Sequence, residues 1–147
     1  MAKNNSLIII PTFNEKENVD KMIDAVLELD HSFHVLFVDD NSPDGTADII
    51  SKRIAGSAGR VHLEKRKGKQ GLGTAYIHGF KWAIKNQYEF VFEMDCDFSH
   101  NPNDLNRLQQ ELKNGTDLVI GSRYCSGGKI KNWPFKRILM SYFASVY

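Results

Sequence analysis

Leu7-Ile8-Ile9-Ile10 is a short apolar run that Pro11 terminates, and it predicts a β-strand buried on both faces of a sheet. Similar short apolar runs recur along the chain, and segments with helical spacing separate them. Strands that alternate with helices predict an α/β fold, a mostly parallel sheet flanked by helices. The other predicted strands cover residues 35–38, 61–63, 90–94 and 118–120.

The segments between these runs carry hydrophobic residues at helical spacing. Asn14 and Glu17 form the pattern of a capping box, which predicts a helix over residues 15–29. Asn101 as N-cap, followed by Pro102 in the first turn, predicts another helix. Further helices are predicted after the turn at 41–45, after the glycine-rich stretch 68–73, and from residue 135 onward.

Composition bounds the class of protein. The 147 residues include 19 Lys and Arg against 18 Asp and Glu, a formal net charge of +1, and the mean hydropathy is −0.39. We therefore expect one globular domain over residues 1–147 and no nucleic-acid partner, which would need a basic excess. The two cysteines do not form a disulfide scaffold, and neither a secretory signal nor a membrane span is evident. These features predict a cytoplasmic protein.

Polar residues cluster where the predicted strands end, the edge of an open α/β sheet at which ligands bind. Asp95 and Asp97 follow the strand 90–94 and are two residues apart, so their side chains are expected on the same side. Two adjacent carboxylates repel each other, and a divalent ion such as Mg²⁺ or Mn²⁺ relieves that repulsion. Because Asp-x-Asp is short and frequent, a solvated turn that caps a helix is the alternative interpretation.

Other groups are ambiguous when they are considered one at a time. Asp39 and Asp40 follow the second strand, where a carboxylate could accept hydrogen bonds from a ribose or a base. The glycines of the stretch 68–73 fit neither the dinucleotide-binding pattern nor the P-loop, which favours a flexible loop. The basic side chains around that loop are predicted to form a solvated face: Lys65, Arg66, Lys67 and Lys69.

Five motifs, taken together and in order, resemble a known family. They are Pro11-Thr12-Phe13-Asn14-Glu15, Val38-Asp39-Asp40-Asn41-Ser42-Pro43-Asp44-Gly45-Thr46, Gly71-Leu72-Gly73-Thr74-Ala75-Tyr76-Ile77-His78-Gly79, Asp95-Cys96-Asp97-Phe98-Ser99-His100-Asn101-Pro102 and Gly121-Ser122-Arg123-Tyr124. The chain is similar to the family 2 inverting glycosyltransferases, and within them to the dolichyl (polyprenyl) phosphate mannose synthases. The resemblance extends from Leu7 to about Ser141.

The resemblance implies a GT-A fold, which is Rossmann-like, and a role for each matching residue. The implied donor nucleotide-binding residues are Pro11, Phe13, Glu15, Asp39, Asp40 and Lys69. The implied catalytic residues are Asp95 and Asp97, which would also hold the metal together with Ser99. The implied acceptor phosphate-binding residues are Arg123, Arg137 and Ser141. Phe13 stands where tyrosine is common in the family, and Cys96 stands where alanine is usual.

The reaction implied by the resemblance is an inverting transfer of a sugar, mannose from GDP-mannose, to a polyprenyl or dolichyl phosphate with a divalent metal. One alternative is a family 2 enzyme that uses a UDP-sugar, with a polyprenyl phosphate or a polysaccharide as acceptor. The other is a non-catalytic nucleotide-sugar-binding fragment.

The end of the sequence is the main departure from the family. Because relatives continue further, we expect a C-terminally truncated catalytic domain. The apolar residues 142–147 are then expected to contact a membrane surface or a second copy of the chain. This predicts a location at the cytoplasmic face of a membrane.

Overall fold

The structure is a computed structural model, which describes residues 6–30, 32–122, 134, 136 and 139–141. The chain divides into two compact units, Met1–Asp117 and Leu118–Tyr147. Every strand and helix given bounds below belongs to the first unit. That the whole of 1–147 forms a single catalytic domain stays a prediction. None of the helices in the described residues has the length and apolarity needed to cross a bilayer.

Four parallel strands form one sheet in the first unit, which confirms the predicted α/β class. The strands are β1 (Ser6–Thr12), β2 (Phe33–Asp39), β3 (Val61–Lys65) and β4 (Phe90–Glu93). The helices are α1 (Val19–Leu27), α2 (Thr46–Ile54), α3 (Leu72–Lys85) and α4 (Asp104–Lys113). All four side chains of the Leu7-Ile8-Ile9-Ile10 run are fully buried, as predicted, because β1 lies inside the sheet with helices on both faces.

The strand order β3-β2-β1-β4 contains one reversal. The chain steps outward from β1 through β2 to β3, and α3 then carries it back to β4 on the other side of β1. The helices α1, α2 and α4 pack on one face of the sheet, whereas α3 packs on the opposite face. Because parallel strands end at the same edge, this reversal opens a crevice at the carboxyl ends of β1 and β4.

The start of α1 differs from the prediction. Helix α1 begins at Val19 with Asn18 as N-cap, and neither a cap at Asn14 nor a capping box is formed. The reason is that Asn14 has a left-handed backbone (φ 62°). In addition, its amide donates to Ser42 Oγ at 3.0 Å, so the loop after β2 binds the segment that was predicted to be helical.

Two further predictions are corrected at the C-terminal side. Helix α4 begins after Asn103 instead of Asn101, whose side chain accepts a hydrogen bond from the Asn103 amide in the preceding turn. Residues 118–120 have no regular secondary structure in place of the predicted strand. An apolar triplet forms a strand only where a neighbouring strand satisfies its backbone groups. The described residues of the predicted C-terminal helix, 136 and 139–141, are helical.

The contact between α3 and the sheet depends on the absence of a side chain at Gly79. A Cβ atom built on Gly79 would lie 2.6 Å from Cγ2 and 2.8 Å from Cδ1 of Ile9. Ile9 is itself fully buried, so it has no free space into which it could move.

We therefore expect Gly79→Ala to lower the free energy of unfolding by about 1–3 kcal/mol, although alanine is the better helix former. Gly73→Ala is the matched control, because it lies in the same helix and a Cβ there meets no atom within 4 Å. Urea denaturation of both variants measures the difference. Equal unfolding midpoints for the two variants would contradict this packing.

Histidines at the amino end of the sheet belong to an aromatic cluster. Tyr88 Oη lies 3.0 Å from Nδ1 of His34 and 3.3 Å from Nε2 of His62, and Trp82 packs on His62. Burial, together with the charges of His62 and Arg60, lowers the pKa of His34 to about 4, and burial also lowers the pKa of His62. Both imidazoles are therefore neutral in the folded protein at pH 7.

We expect stability to fall as the pH decreases from about 6.5, the pKa of histidine in the unfolded chain, towards 4. In this pH range His34 and His62 bind protons in the unfolded state but stay neutral in the folded state, so protonation favours unfolding. His34→Gln should reduce this pH dependence of the urea midpoint. A urea midpoint of the wild-type protein that is the same at pH 7 and pH 5 would contradict the account.

Candidate functional site

A cavity of about 220 Å³ lies at the carboxyl ends of the strands. Its walls come from the segments that follow β1, β2 and β4 and from the start of α3. This is the edge where the strand order reverses. The lining residues are Pro11, Thr12, Phe13, Glu15, Asp40, Lys69, Gly71, Leu72, Ala75, Asp95, Cys96 and Asp97.

The loops after β1 and β2 are bound to each other, and Asp39 is at the centre of this contact. Asp39 is fully buried, and its carboxylate accepts hydrogen bonds from Thr12 Oγ1 at 3.0 Å and from the amide and hydroxyl of Ser42 at 2.9 and 2.6 Å. Asp39 does not line the cavity. It instead fixes the two loops that carry the lining residues.

The same two loops are joined a second time beyond Asp39. The amide of Glu15 donates to Thr46 Oγ1, and the amide of Lys16 donates to Asp44 Oδ2, both at 3.0 Å. Thr46 in turn donates its hydroxyl to Asp44 Oδ1 at 2.6 Å. The segment that brings Phe13 and Glu15 to the cavity is thus held by the loop that precedes α2.

Asp40, the next residue, faces the cavity and forms a buried ion pair with Arg66. The Arg66 guanidinium donates through Nε to Oδ1 and through Nη2 to Oδ2 of Asp40, the second at 2.7 Å. Only 7% of the Arg66 side chain and 10% of the Asp40 side chain are exposed. The predicted solvated basic face is therefore wrong for Arg66, because the carboxylate at the end of β2 draws the guanidinium inward.

Asp95 and Asp97 both line the cavity, and so does Cys96 between them, which is also part of the hydrophobic core. The Ser99 amide donates to Oδ1 of Asp97 at 2.9 Å, and this bond lowers the pKa of Asp97, which stays ionised. Tyr76 Oη lies 3.4 Å from Oδ1 of Asp95. Burial, together with the charges of Asp95 and Glu93, raises the pKa of Tyr76. The phenol is therefore protonated and donates a hydrogen bond to the Asp95 carboxylate.

Burial has a related effect on the residue between the two acids. Burial, reinforced by Glu15, Asp97 and Asp95, raises the pKa of the Cys96 thiol to about 12. The thiol is therefore protonated at neutral pH. It is neither a nucleophile nor a metal ligand in that form, and it packs as a small apolar group.

The acids of the cavity outnumber its basic residues. Four carboxylates, those of Glu15, Asp40, Asp95 and Asp97, line the cavity together with one lysine, Lys69. Asp40 is neutralised by Arg66, and Lys69 Nζ lies over the Phe13 ring, 4.8 Å from its centroid. Glu15, Asp95 and Asp97 keep their negative charge, and of these three Asp95 and Asp97 are the closest in the chain, two residues apart.

The donor set at this position fits a hard divalent ion that a ligand completes. Nowhere in the described residues do three or more His, Cys, Asp or Glu side chains form a group able to hold a metal alone. Mg²⁺ and similar ions commonly bind to one or two carboxylates and take their other oxygens from substrate phosphates and water. Asp95 and Asp97 are a pair of this kind.

The cavity brings together most of the residues that the sequence analysis selected. The predicted residues that line it are Pro11, Phe13, Glu15, Asp40, Lys69, Asp95 and Asp97. Asp39 and Ser99 do not line it: Asp39 is buried, and Ser99 is exposed with its amide bound to Asp97. Arg123 and Arg137 lie outside the described residues, and Ser141 is in a helical segment. Arg66 and Tyr76 were not selected as site residues; the position of Arg66, three residues after the predicted strand 61–63, was an available signal for it.

A family model described as "Glycosyl transferase family 2" matches residues 7–145. The chain therefore belongs to glycosyltransferase family 2. The polyprenol monophosphomannose synthase of Mycolicibacterium smegmatis is 43% identical over 142 residues, which are 97% of this chain and 54% of that protein. The chain thus spans about half the length of this curated relative.

Solved structures share the fold. Residues 1–349 of TarS from S. aureus superimpose with a TM-score of 0.63 at 20% identity, over 82% of this chain and 39% of that one. The mannosyltransferase PcManGT from Pyrobaculum calidifontis, in complex with GDP-Man and Mn²⁺, has a TM-score of 0.50 at 23% identity, over 54% of this chain and 24% of that one. The GT-A-like fold expected from the sequence is thereby confirmed.

The hydrogen bonds of Asp39 generate a prediction about stability. Asp39→Ala removes the acceptor of three hydrogen bonds and leaves the donors of Thr12 and Ser42 without a partner. We expect the free energy of unfolding to fall by about 2–4 kcal/mol. Asp48→Ala, an exposed acid in the first turn of α2, should cost less than about 1 kcal/mol. Similar losses for both variants in urea denaturation would disprove a central role of Asp39.

Proposed function

We propose that this chain is the donor-binding part of an inverting glycosyltransferase that transfers mannose from GDP-mannose to a polyprenyl or dolichyl phosphate. The observation that carries the proposal is the cavity at the sheet edge, which is lined by seven of the nine residues proposed for the donor and the metal. Its chemistry suits a nucleotide diphosphate, because an aromatic ring, a lysine and a pair of carboxylates face the same space. The family membership and the name of the M. smegmatis relative support the reaction and the sugar.

The two ends of the cavity suit the two ends of the donor. Asp40 follows β2 and Asp95 follows β4, with β1 between them, so two strand spacings, roughly 10 Å, separate these ends of the sheet edge. We assign the nucleoside to the end formed by Pro11, Phe13 and Asp40. The diphosphate then lies towards Asp95 and Asp97.

Asp95 and Asp97 would hold a divalent ion, Mg²⁺ or Mn²⁺, and the Ser99 amide would orient Asp97. When bound, such an ion supplies charge neutralisation for the departing nucleoside diphosphate. Tyr76 fixes Asp95 by its hydrogen bond, and the Ser99 amide keeps Asp97 ionised. The Mn²⁺ and GDP-Man in the P. calidifontis mannosyltransferase support this assignment.

The proposed acceptor removes the need for a general base. The second pKa of a phosphate monoester is about 6, so the group is mostly a dianion at pH 7. It can therefore attack the sugar carbon without first losing a proton. Attack from the face opposite the leaving group inverts the anomeric centre.

The residues proposed for the acceptor phosphate are Arg123, Arg137 and Ser141, because a guanidinium fork suits phosphate oxygens. A lipid acceptor and a nucleotide donor are consistent with a reaction at the cytoplasmic face of a membrane, and we propose residues 142–147 for peripheral contact with that membrane.

A UDP-sugar is the second candidate donor. Neither the fold shared with TarS nor the chemistry of the cavity selects a base, since a carboxylate such as that of Asp40 accepts hydrogen bonds from N–H groups of guanine and of uracil alike. Titrating GDP-mannose and UDP-glucose in the presence of Mn²⁺, followed by transfer to a polyprenyl phosphate, tests donor and acceptor separately. Binding without transfer favours a nucleotide-sugar-binding fragment.

Asp97→Asn tests the metal assignment. We expect it to weaken Mn²⁺-dependent binding of the nucleotide diphosphate by about tenfold or more, since one charged ligand is lost. Asp104→Asn is the control, an exposed acid in the first turn of α4 that is not among the lining residues. Isothermal titration with and without Mn²⁺ measures both variants. An Asp97 variant that keeps the full Mn²⁺ dependence would contradict the assignment.

A further inference from the structure

We infer that Arg66 is a positioning residue for the donor nucleoside, acting through Asp40 and the start of α3. This inference rests on the proposed function, because it concerns the nucleoside end of the same cavity. Arg66 itself is not among the residues that line the cavity.

The Arg66 guanidinium determines how Asp40 presents its carboxylate. The two parallel hydrogen bonds, Nε to Oδ1 and Nη2 to Oδ2, form a fork that fixes the plane of the carboxylate as well as its position. Each carboxylate oxygen of Asp40 accepts one hydrogen bond from Arg66, and its remaining lone pair can accept a hydrogen bond from a ligand. With so little of either side chain exposed, water does not substitute for this partner.

The same guanidinium also binds the segment that begins α3. Arg66 Nη1 donates to Thr74 Oγ1 at 2.7 Å, and Nη2 lies 3.4 Å from the carbonyl oxygen of Gly71. The Thr74 hydroxyl in turn donates a hydrogen bond to the Gly71 carbonyl at 2.7 Å, which links Arg66 to Gly71 a second time. Because Gly71 and Leu72 form part of the cavity wall, Arg66 fixes that wall from behind.

The backbone of Arg66 completes the arrangement. Its amide donates to the carbonyl of Asp39 at 2.8 Å, which extends the pairing of β2 with β3 beyond the last sheet residue. One residue thereby joins the end of β2, the end of β3 and the N-terminus of α3. All three meet at the nucleoside end of the cavity, about two strand spacings from Asp95 and Asp97.

Arg66→Met tests this inference, with two ligands that differ in how much of the cavity they occupy. GDP and UDP occupy the nucleoside end and the diphosphate end, whereas pyrophosphate occupies the diphosphate end alone. We expect Arg66→Met to weaken the binding of the nucleotide that the wild-type protein binds by about 10- to 100-fold. The affinity of the Arg66→Met variant for pyrophosphate with Mn²⁺ should change by less than about twofold. A general loss of structure would instead weaken the binding of both ligands.

Arg53→Met is the matched control. Arg53 also forks onto two carboxylates, those of Asp20 and Asp24, but it joins α1 to α2 on the surface. It should leave both affinities unchanged. In a double-mutant cycle, Arg66→Met combined with Asp40→Asn should weaken nucleotide binding by less than the two single losses combined, because Arg66 acts in part through Asp40. If Arg66→Met does not fold, Arg66→Lys carries the same comparison, since lysine keeps the charge and lacks the fork.

Three results would overturn the inference. Nucleotide affinity in the Arg66 variants equal to that of the wild-type protein would show that Asp40 needs no fork. Equal losses for nucleotide and pyrophosphate would show a general structural role. A strictly additive double mutant would show that Arg66 does not act through Asp40. The proposed function fails in a different way, namely when the wild-type protein binds neither GDP nor UDP in the presence of Mn²⁺.

Discussion

The position of β1 inside a parallel sheet is the constraint on which the rest of the structure depends. Since β2 and β4 flank β1 and all four strands run in the same direction, the segments that follow three of them must meet at one edge. The apolar run Leu7-Ile8-Ile9-Ile10 makes this position obligatory, because each of its side chains is fully buried. Gly79 completes the arrangement by letting α3 approach Ile9 closely on the face that the other helices leave open. The cavity is a consequence of this topology.

Charge balance organises that edge. Two of the acids near the cavity are compensated: Asp39 accepts three hydrogen bonds and is withdrawn from the lining, while Asp40 is neutralised by the Arg66 fork. Asp95 and Asp97 accept hydrogen bonds from neutral donors, Tyr76 and the Ser99 amide, and Glu15 accepts one from the Asn18 side chain, so the negative charge of these three acids persists. An anionic donor binds beside two such carboxylates only if a cation accompanies it. The physical chemistry of the site and the family membership therefore both support the proposed ligand, a nucleotide diphosphate with a divalent ion.

Much of this organisation could be predicted from the sequence, because it follows from local patterns. Apolar runs and helical spacing identified the strands of the sheet and their alternation with helices, and strand ends identified the segments that line the cavity. The errors arose where a distant segment competes with a local signal. Asn14 has the composition of an N-cap, yet its amide is bound by Ser42, which is 28 residues away in sequence. Arg66 looked solvated because its partner, Asp40, lies 26 residues earlier.

The proposed roles differ in the kind of observation that supports them. Contacts within the first unit support the proposed roles of Asp95, Asp97 and the nucleoside end, whereas motif resemblance supports the proposed acceptor residues Arg123 and Arg137.

Crystals grown with Mn²⁺ and GDP-mannose, with data collected at the manganese absorption edge, test the central claim most directly. The account predicts an anomalous peak that joins the diphosphate to Asp95 and Asp97, with the nucleoside against Asp40. A manganese peak remote from both carboxylates, or a nucleotide bound outside this cavity, would contradict it.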